Sequence, residues 1–163
     1  MNDAELRAVF AQEADMLLAQ LSAGALELES GTADAASVDS LFRAAHTLKG
    51  SAALVRLHEV STVTHALEDL LEGLRSQALT ATPPVVDVIL DTVDALREAI
   101  PRLLAGEPVG VVDPELVRRL TEAVAPEDRP GTPAAPRPSA APAPPPAAPS
   151  PPPSAGESVS VPL

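Results

Sequence analysis

Ser37-Val38-Asp39-Ser40-Leu41-Phe42-Arg43-Ala44-Ala45-His46-Thr47-Leu48-Lys49-Gly50-Ser51-Ala52 carries apolar residues at Val38, Leu41, Phe42, Ala45, Leu48 and Ala52. Steps of three and four keep these on one face of a helix, whereas a half-buried strand would alternate every second residue. The spacing predicts a helix that begins after a Ser37 cap and ends near Arg56. The next stretch repeats the pattern through Leu57, Val60, Val63, Leu67, Leu70, Leu71 and Leu74, and runs out around Gln77.

Working outward, an earlier helix carries Leu6, Val9, Phe10, Leu17, Leu21 and Leu28, with Asn2 or Asp3 as its cap and Ser30-Gly31 as its end. A fourth starts at Thr82-Pro83, where proline's missing N–H is harmless, and continues through Val86, Ile89, Leu90, Val93, Leu96, Ile100 and Leu104. Pro101 is expected to kink or end it, because the ring crowds the carbonyl of Arg97. Asp113-Pro114 repeats the cap-and-proline start for a short fifth helix through Leu116, Val117, Leu120 and Val124. No segment shows sustained period-two alternation. The expected fold is all-α, an antiparallel four-helix bundle with the fifth helix packed alongside.

Composition divides the chain of 163 residues in two: of its 19 prolines, fourteen lie in residues 126–163, among eight alanines. The expected organisation is one folded domain over 1–125 and a disordered, semi-extended Pro/Ala-rich linker over 126–163. The absence of cysteine excludes a disulfide scaffold and a cysteine nucleophile, and two phenylalanines as the only aromatics exclude a base-stacking surface. A net charge of -12, nearly all in the first 125 residues, repels phosphate backbones and anionic lipid, so protein partners are expected and nucleic acid is not. No apolar run is long enough to span a membrane, and the acidic opening Met1-Asn2-Asp3-Ala4-Glu5 is unlike a targeting peptide; the expected location is the cytoplasm, without membrane insertion.

Three histidines, His46, His58 and His65, are the places to look for chemistry. At about 100° per residue, Lys49 lies about 60° to one side of His46 and Gly50 about 40° to the other, one turn on. Lys49 is the only lysine, the other ten bases being arginine. Gly50 costs a helix about 1 kcal/mol relative to alanine, a cost often tolerated where something must approach closely. His46 follows Ala45 of the apolar stripe, so its ring is expected at the edge of the core with its tip in water. An imidazole is mostly uncharged at pH 7, its ordinary pKa being about 6.5, and is then a competent nucleophile. If the second and third helices pack antiparallel, Glu68, beside Leu67, can accept the N–H of one ring nitrogen and leave the other as the attacking lone pair. The residues alone leave a second reading open, in which Glu68, Asp69 and Glu72 are solvated charges. His58 and His65 share a face, but without a His-Glu-x-x-His pattern they make a poor metal site, and no metal is assigned.

Leu41-Phe42-Arg43-Ala44-Ala45-His46-Thr47-Leu48-Lys49-Gly50-Ser51 resembles the phosphorylation motif of histidine phosphotransfer (HPt) domains. Thr64-His65-Ala66-Leu67-Glu68-Asp69-Leu70-Leu71 resembles the companion motif of CheA-type chemotaxis histidine kinases, and Phe10-Ala11-Gln12-Glu13-Ala14 with its leucine-rich helix is similar as well. In that family a histidine takes the γ-phosphoryl of ATP on Nε2 from a separate kinase domain and passes it to an aspartate of a response-regulator receiver domain. The resemblance implies His46 as the phosphorylated nucleophile, Glu68 as the acceptor of its Nδ1–H, and Lys49 offsetting charge on the transferring group. It also implies that Gly50 leaves room for the partner's active site, and that Ser51 and His65, the latter a further polar neighbour of His46, lie on the same docking side. The chain has no glycine-rich nucleotide lid, so ATP and Mg²⁺ are expected from partner domains, with no cofactor of its own and no autonomous catalytic domain. The terminal Glu157-Ser158-Val159-Ser160-Val161-Pro162-Leu163 resembles the entry to a kinase dimerisation domain, which suggests the N-terminal portion of a larger kinase. The competing reading is a non-catalytic helical interaction module in which His46 is incidental, and a third is an acid/base or metal enzyme using His46, His65 and Glu68.

Overall fold

The computed structural model describes residues 2–108, 110 and 113–125. The expectations for the linker over 126–163 and its last seven residues lie outside the described residues. Five helices follow in order: α1 (Asp3–Ser30), α2 (Ala35–Leu54), α3 (His58–Arg75), α4 (Pro83–Leu104) and α5 (Pro114–Val124). Among the described residues there is no strand, and no helix is long and apolar enough to cross a membrane.

Capping chemistry sets most of the boundaries. Asn2 Oδ1 accepts the Glu5 N–H at 2.8 Å while Glu5 Oε2 accepts the Asn2 N–H at 3.0 Å, a reciprocal box that starts α1. Gly31 ends it at φ 72°, a left-handed conformation that glycine adopts without steric cost. The Ser37 cap expected for α2 is corrected: Asp34 is the cap, its carboxylate accepting the Ser37 N–H at 2.8 Å, so α2 begins at Ala35. Both residue types cap well, and the one three positions upstream takes the bond. Thr82 and Pro83 start α4 as expected, although the Thr82 side chain makes no capping bond. Pro101 does not end α4, which continues through Leu104. It sits one turn from the C-terminus, where the lost N–H removes a single bond and Ala105 N–H still reaches the Pro101 carbonyl at 3.1 Å.

Cross-helix hydrogen bonds fix the directions. Glu13 meets Ser51 and Gln20 meets Ser40, so residue numbers rise on α1 as they fall on α2. Between α2 and α3 the paired positions are Asp39 with Arg75, His46 with Glu68, and Lys49 with Ser61, again antiparallel. The helix α1 packs on α2 and α4, α2 packs on α3, and α3 meets α4 only thinly. There α5 lies against both, burying Leu116 and Leu120 along the seam. The core runs the length of the bundle through Leu18, Leu21, Leu41, Leu48, Leu67, Leu70, Leu71, Ile89 and Leu96, all essentially inaccessible to solvent. It holds α2 and α3 rigidly side by side, and the polar residues at the edge of that contact form the site.

Candidate functional site

His46 stands on α2 immediately after Ala45, which is fully buried, and 62% of its side chain is exposed. Glu68 stands on α3 between Leu67 and the exposed Asp69, with only 12% of its side chain exposed. His46 Nδ1 and Glu68 Oε1 are 2.9 Å apart, and Lys49 Nζ is 2.6 Å from Glu68 Oε2. Burial pushes the Glu68 carboxyl up, but the hydrogen bond from His46 and the ammonium of Lys49 outweigh it and hold the carboxyl below its usual value. An ionised carboxylate has nothing to donate, so the proton between the two residues belongs to His46 Nδ1. A neutral imidazole with Nδ1 protonated carries its free lone pair on Nε2, the ring nitrogen away from Glu68. The arrangement is that of an oriented nitrogen nucleophile, held by a carboxylate that is itself held by a cation.

Of the residues singled out from sequence, the structure brings His46, Glu68 and Lys49 into direct contact and leaves the others apart. The amine of Lys49 lies against Glu68, so the lysine is engaged within the site rather than extended toward an incoming group. Ser51, expected on the docking side, is engaged within the bundle: its hydroxyl donates to Glu13 Oε2 at 2.6 Å and ties α2 to α1. His65 is exposed, and its nearest acid is Asp69 on its own helix, with Nε2 3.8 Å from Oδ1. Among the described residues no hydrogen bond joins His65 to the His46 cluster. His58 begins α3, where its carbonyl accepts the Thr62 hydroxyl at 2.9 Å. Among the described residues no group of three His, Cys, Asp or Glu side chains gathers where a metal could be held.

Gly50 differs from the other helical glycines. A Cβ built on Gly24 would come within 2.5 Å of Leu41 Cδ2, and one on Gly73 within 2.5 Å of Leu79 Cδ1, so close packing inside the bundle accounts for both. A Cβ on Gly50 would meet nothing within 4 Å. The chain's own packing therefore gives no reason for a glycine there, one turn from the exposed imidazole.

Sequence reasoning missed a second set of neighbours. The Phe42 and His46 rings lie with centroids 6.1 Å apart and planes inclined by 22°, and the Arg75 guanidinium carbon sits 4.0 Å from the Phe42 centroid. Arg75 also reaches Asp39 at 3.3 Å and Glu72 at 2.7 Å. The four-residue step from Phe42 to His46 was the available signal, since such pairs are neighbours on a helix surface. The contribution of Arg75, from the far end of α3, left no trace in local spacing.

Comparison with known proteins agrees with this geometry. Residues 5–99 match the family model described as the Hpt domain. The chain is 41% identical over 116 residues to the chemotaxis protein CheA of Treponema pallidum, covering 71% of this chain and 14% of that protein. It is 35% identical over 91 residues to CheA of Klebsiella aerogenes, covering 56% of this chain and again 14% of the relative. Among solved structures it resembles the phosphorylated P1 domain of CheA3 from R. sphaeroides, in complex with CheY6, with a TM-score of 0.68 and 29% identity. That match covers 74% of this chain and 96% of the other. The chain thus spans only a small part of its curated relatives but nearly the whole of that one domain.

Proposed function

The chain belongs to the Hpt domain family, and from that premise we propose that it is a phosphoryl carrier in two-component signalling, with His46 as the residue that carries the group. The observation that carries this reading is the 2.9 Å contact between His46 Nδ1 and Glu68 Oε1, which in the neutral ring assigns the proton to Nδ1 and the free lone pair to Nε2, on a side chain that is 62% exposed. The Nε2 lone pair attacks the γ-phosphorus of ATP held by a kinase domain. The N–P bond forms as the bond to the β–γ bridging oxygen breaks, and ADP leaves. The ring gains positive charge in that step, and the ionised Glu68 opposite Nδ1–H stabilises it. In the second transfer a carboxylate oxygen of a receiver-domain aspartate attacks the phosphorus, the O–P bond forming as the N–P bond breaks, and the imidazole leaves with its lone pair back on Nε2 and its proton still on Nδ1.

Lys49 acts on the carboxylate in this scheme. Its ammonium keeps Glu68 ionised in a mostly buried position, where an unpaired charge would be costly. Charge on the phosphoryl oxygens would then be offset by cations that the partners supply, Mg²⁺ held with ATP in the kinase domain and Mg²⁺ held by the receiver domain. The open position at Gly50 gives those active sites room beside the ring. Because the chain covers 14% of its curated CheA relatives, the proposal extends to its place in the whole: the phosphotransfer portion of a chemotaxis-type histidine kinase acting in the cytoplasm.

Incubation of the protein with a CheA-type kinase core lacking its own phosphotransfer domain, plus radiolabelled ATP and Mg²⁺, tests the reading. The expected product is a base-stable, acid-labile phosphoprotein that His46→Gln abolishes. Label that survives His46→Gln would overturn the assignment, and a wild-type protein that takes no label would favour the plain interaction module.

A further inference from the structure

The Cβ–Cγ bond and the hydrogen bond to Glu68 set the mean plane of the His46 ring, but one hydrogen bond is a soft restraint on two side-chain torsions. Small coupled changes in χ1 and χ2 keep Nδ1 within reach of Glu68 while Nε2, on the far side of the ring, moves through a wider arc, and with 62% of the side chain exposed the core offers little to stop it. A neighbour against the ring would narrow that arc. Phe42 is in that place, its ring stacked near-parallel to the imidazole one helical turn earlier.

Phe42 is in turn held from outside. It is half-buried, packed against the core on one side, and the Arg75 guanidinium lies over its ring at 4.0 Å. Arg75 is itself fixed by two carboxylates, Asp39 from α2 at 3.3 Å and Glu72 from its own helix at 2.7 Å. Asp39 also accepts from Arg43 Nε at 2.6 Å. The result is a column in which a doubly paired guanidinium covers an aromatic ring and that ring flanks the imidazole. A guanidinium engaged on its rim by carboxylates still presents a flat face to an aromatic, which a lysine ammonium does not.

We propose that Phe42 and Arg75 are positioning residues that hold the plane of the His46 imidazole, so that Nε2 is presented in one direction. The proposal rests on the phosphoryl-carrier reading for its consequence, although not for its geometry. In-line transfer depends on the direction of the attacking lone pair, and a misplacement of about 1 Å can cost on the order of 100-fold in rate. Glu68 chooses which nitrogen attacks, and the column chooses where that nitrogen points.

The test uses the full chain and two readouts. The first, which needs no kinase, is NMR relaxation of the His46 ring carbons. The ring is expected to be ordered in the wild type and to gain fast motion in Phe42→Leu, which keeps an apolar side chain but removes the flat face. The second is labelling by the kinase core: Phe42→Leu is expected to lower kcat about tenfold with KM unchanged, Phe42→Tyr to restore it, and Arg75→Gln to lower it about threefold. Arg75→Gln leaves the core untouched and so reads the column even if Phe42→Leu packs poorly. A His46 ring equally ordered in wild type and Phe42→Leu, or a labelling rate that follows melting temperature and is not restored by Phe42→Tyr, would overturn the proposal. If the wild type takes no label, the phosphoryl-carrier reading fails while the relaxation measurement still decides this one.

Discussion

The α2–α3 face and the α4–α5 face carry the same materials and do different things with them. On α4 and α5, Arg119 pairs with Asp91 at 2.7 Å, and Arg118 binds both Glu115 and Glu122. On α2 and α3, Lys49 pairs with Glu68 at 2.6 Å. The distances are alike and the surroundings are not: the side chains of Arg119 and Asp91 are 36% and 52% exposed, those of Lys49 and Glu68 27% and 12%. Water screens the first pair, so it contributes roughly 0–1 kcal/mol of surface stability. Partial burial leaves the second pair less screened, holds the Glu68 carboxyl below its usual value and lets it fix a neighbouring imidazole. Burial on a packed apolar floor, rather than the number of charges, separates a site from a decorated surface.

The largest effect expected from breaking this comparison lies in the passive half. Leu120 is fully buried in the α3–α4 seam, and Leu120→Ala is expected to cost about 2–5 kcal/mol in a urea titration. Labelling of His46, measured well below the lowered melting temperature, is expected to stay at the wild-type rate. A specific loss of labelling in the folded variant would mean that α5 belongs to the working surface.

Glu68→Gln comes next. The amide can still accept from Nδ1–H but carries no charge to oppose the developing imidazolium, and it strands the Lys49 ammonium. Labelling is expected to slow by about 10- to 100-fold, with the helical circular dichroism spectrum intact. The same residue sets a pH dependence. Its carboxyl lies below the ordinary 4.5 in the folded state, so its contribution to stability is fully present above that value and is lost as pH falls through the lowered one. The stability difference between wild type and Glu68→Gln should accordingly be constant near neutrality and shrink below pH 4.5; a difference unchanged down to strongly acid pH would show that Glu68 is not held ionised.

How much of this could be seen in the sequence follows from how local each interaction is. The apolar stripe of α2 was legible because period and burial coincide: Leu41, Ala45, Leu48 and Ala52 are all buried. On α1 only Phe10 and Leu21 of the expected stripe are buried; Val9 is 56% exposed, and the buried line runs through Ala14, Leu18 and Ala25, because a helix with apolar residues on several faces does not mark by period alone which face is covered. His46 was legible because Lys49 and Gly50 sit within one turn of it. The partnership with Glu68 depended on antiparallel packing, which short connections made foreseeable, but the position of the Lys49 amine did not follow from it. A lysine one turn from a histidine points as readily at an incoming phosphoryl group as at a carboxylate on the next helix, and only tertiary packing decides. The Arg75–Phe42 contact, bridging two helices, had no local signature. Boundaries were missed where two residues competed for one role, as Asp34 and Ser37 did for the α2 cap.

Gly50→Ala sharpens the comparison from the active side. Alanine meets nothing within 4 Å there and is the better helix former, so the variant is expected to be more stable by about 1 kcal/mol. Phosphoryl transfer between His46 and a receiver domain is expected to slow, because the added methyl stands where the partner approaches. Greater stability with slower transfer is the signature of a residue kept for an absent partner; unchanged transfer would remove Gly50 from the docking surface.

The smallest effect is expected at Arg118, where the structure shows the most pairing. Its guanidinium is bound by Glu115 one turn before it and Glu122 one turn after, which raises its pKa above an already high value. Arginine is charged at every pH at which the protein folds, so that shift changes no protonation state under working conditions. All three side chains are more than half exposed, and holding them in one geometry costs rotamer entropy that offsets the screened attraction. Arg118→Gln should therefore leave the unfolding midpoint within error of the wild type and labelling unchanged. A clear fall in the unfolding midpoint would show that exposed pairs on α5 act as a cooperative network, and burial would then no longer separate the two faces.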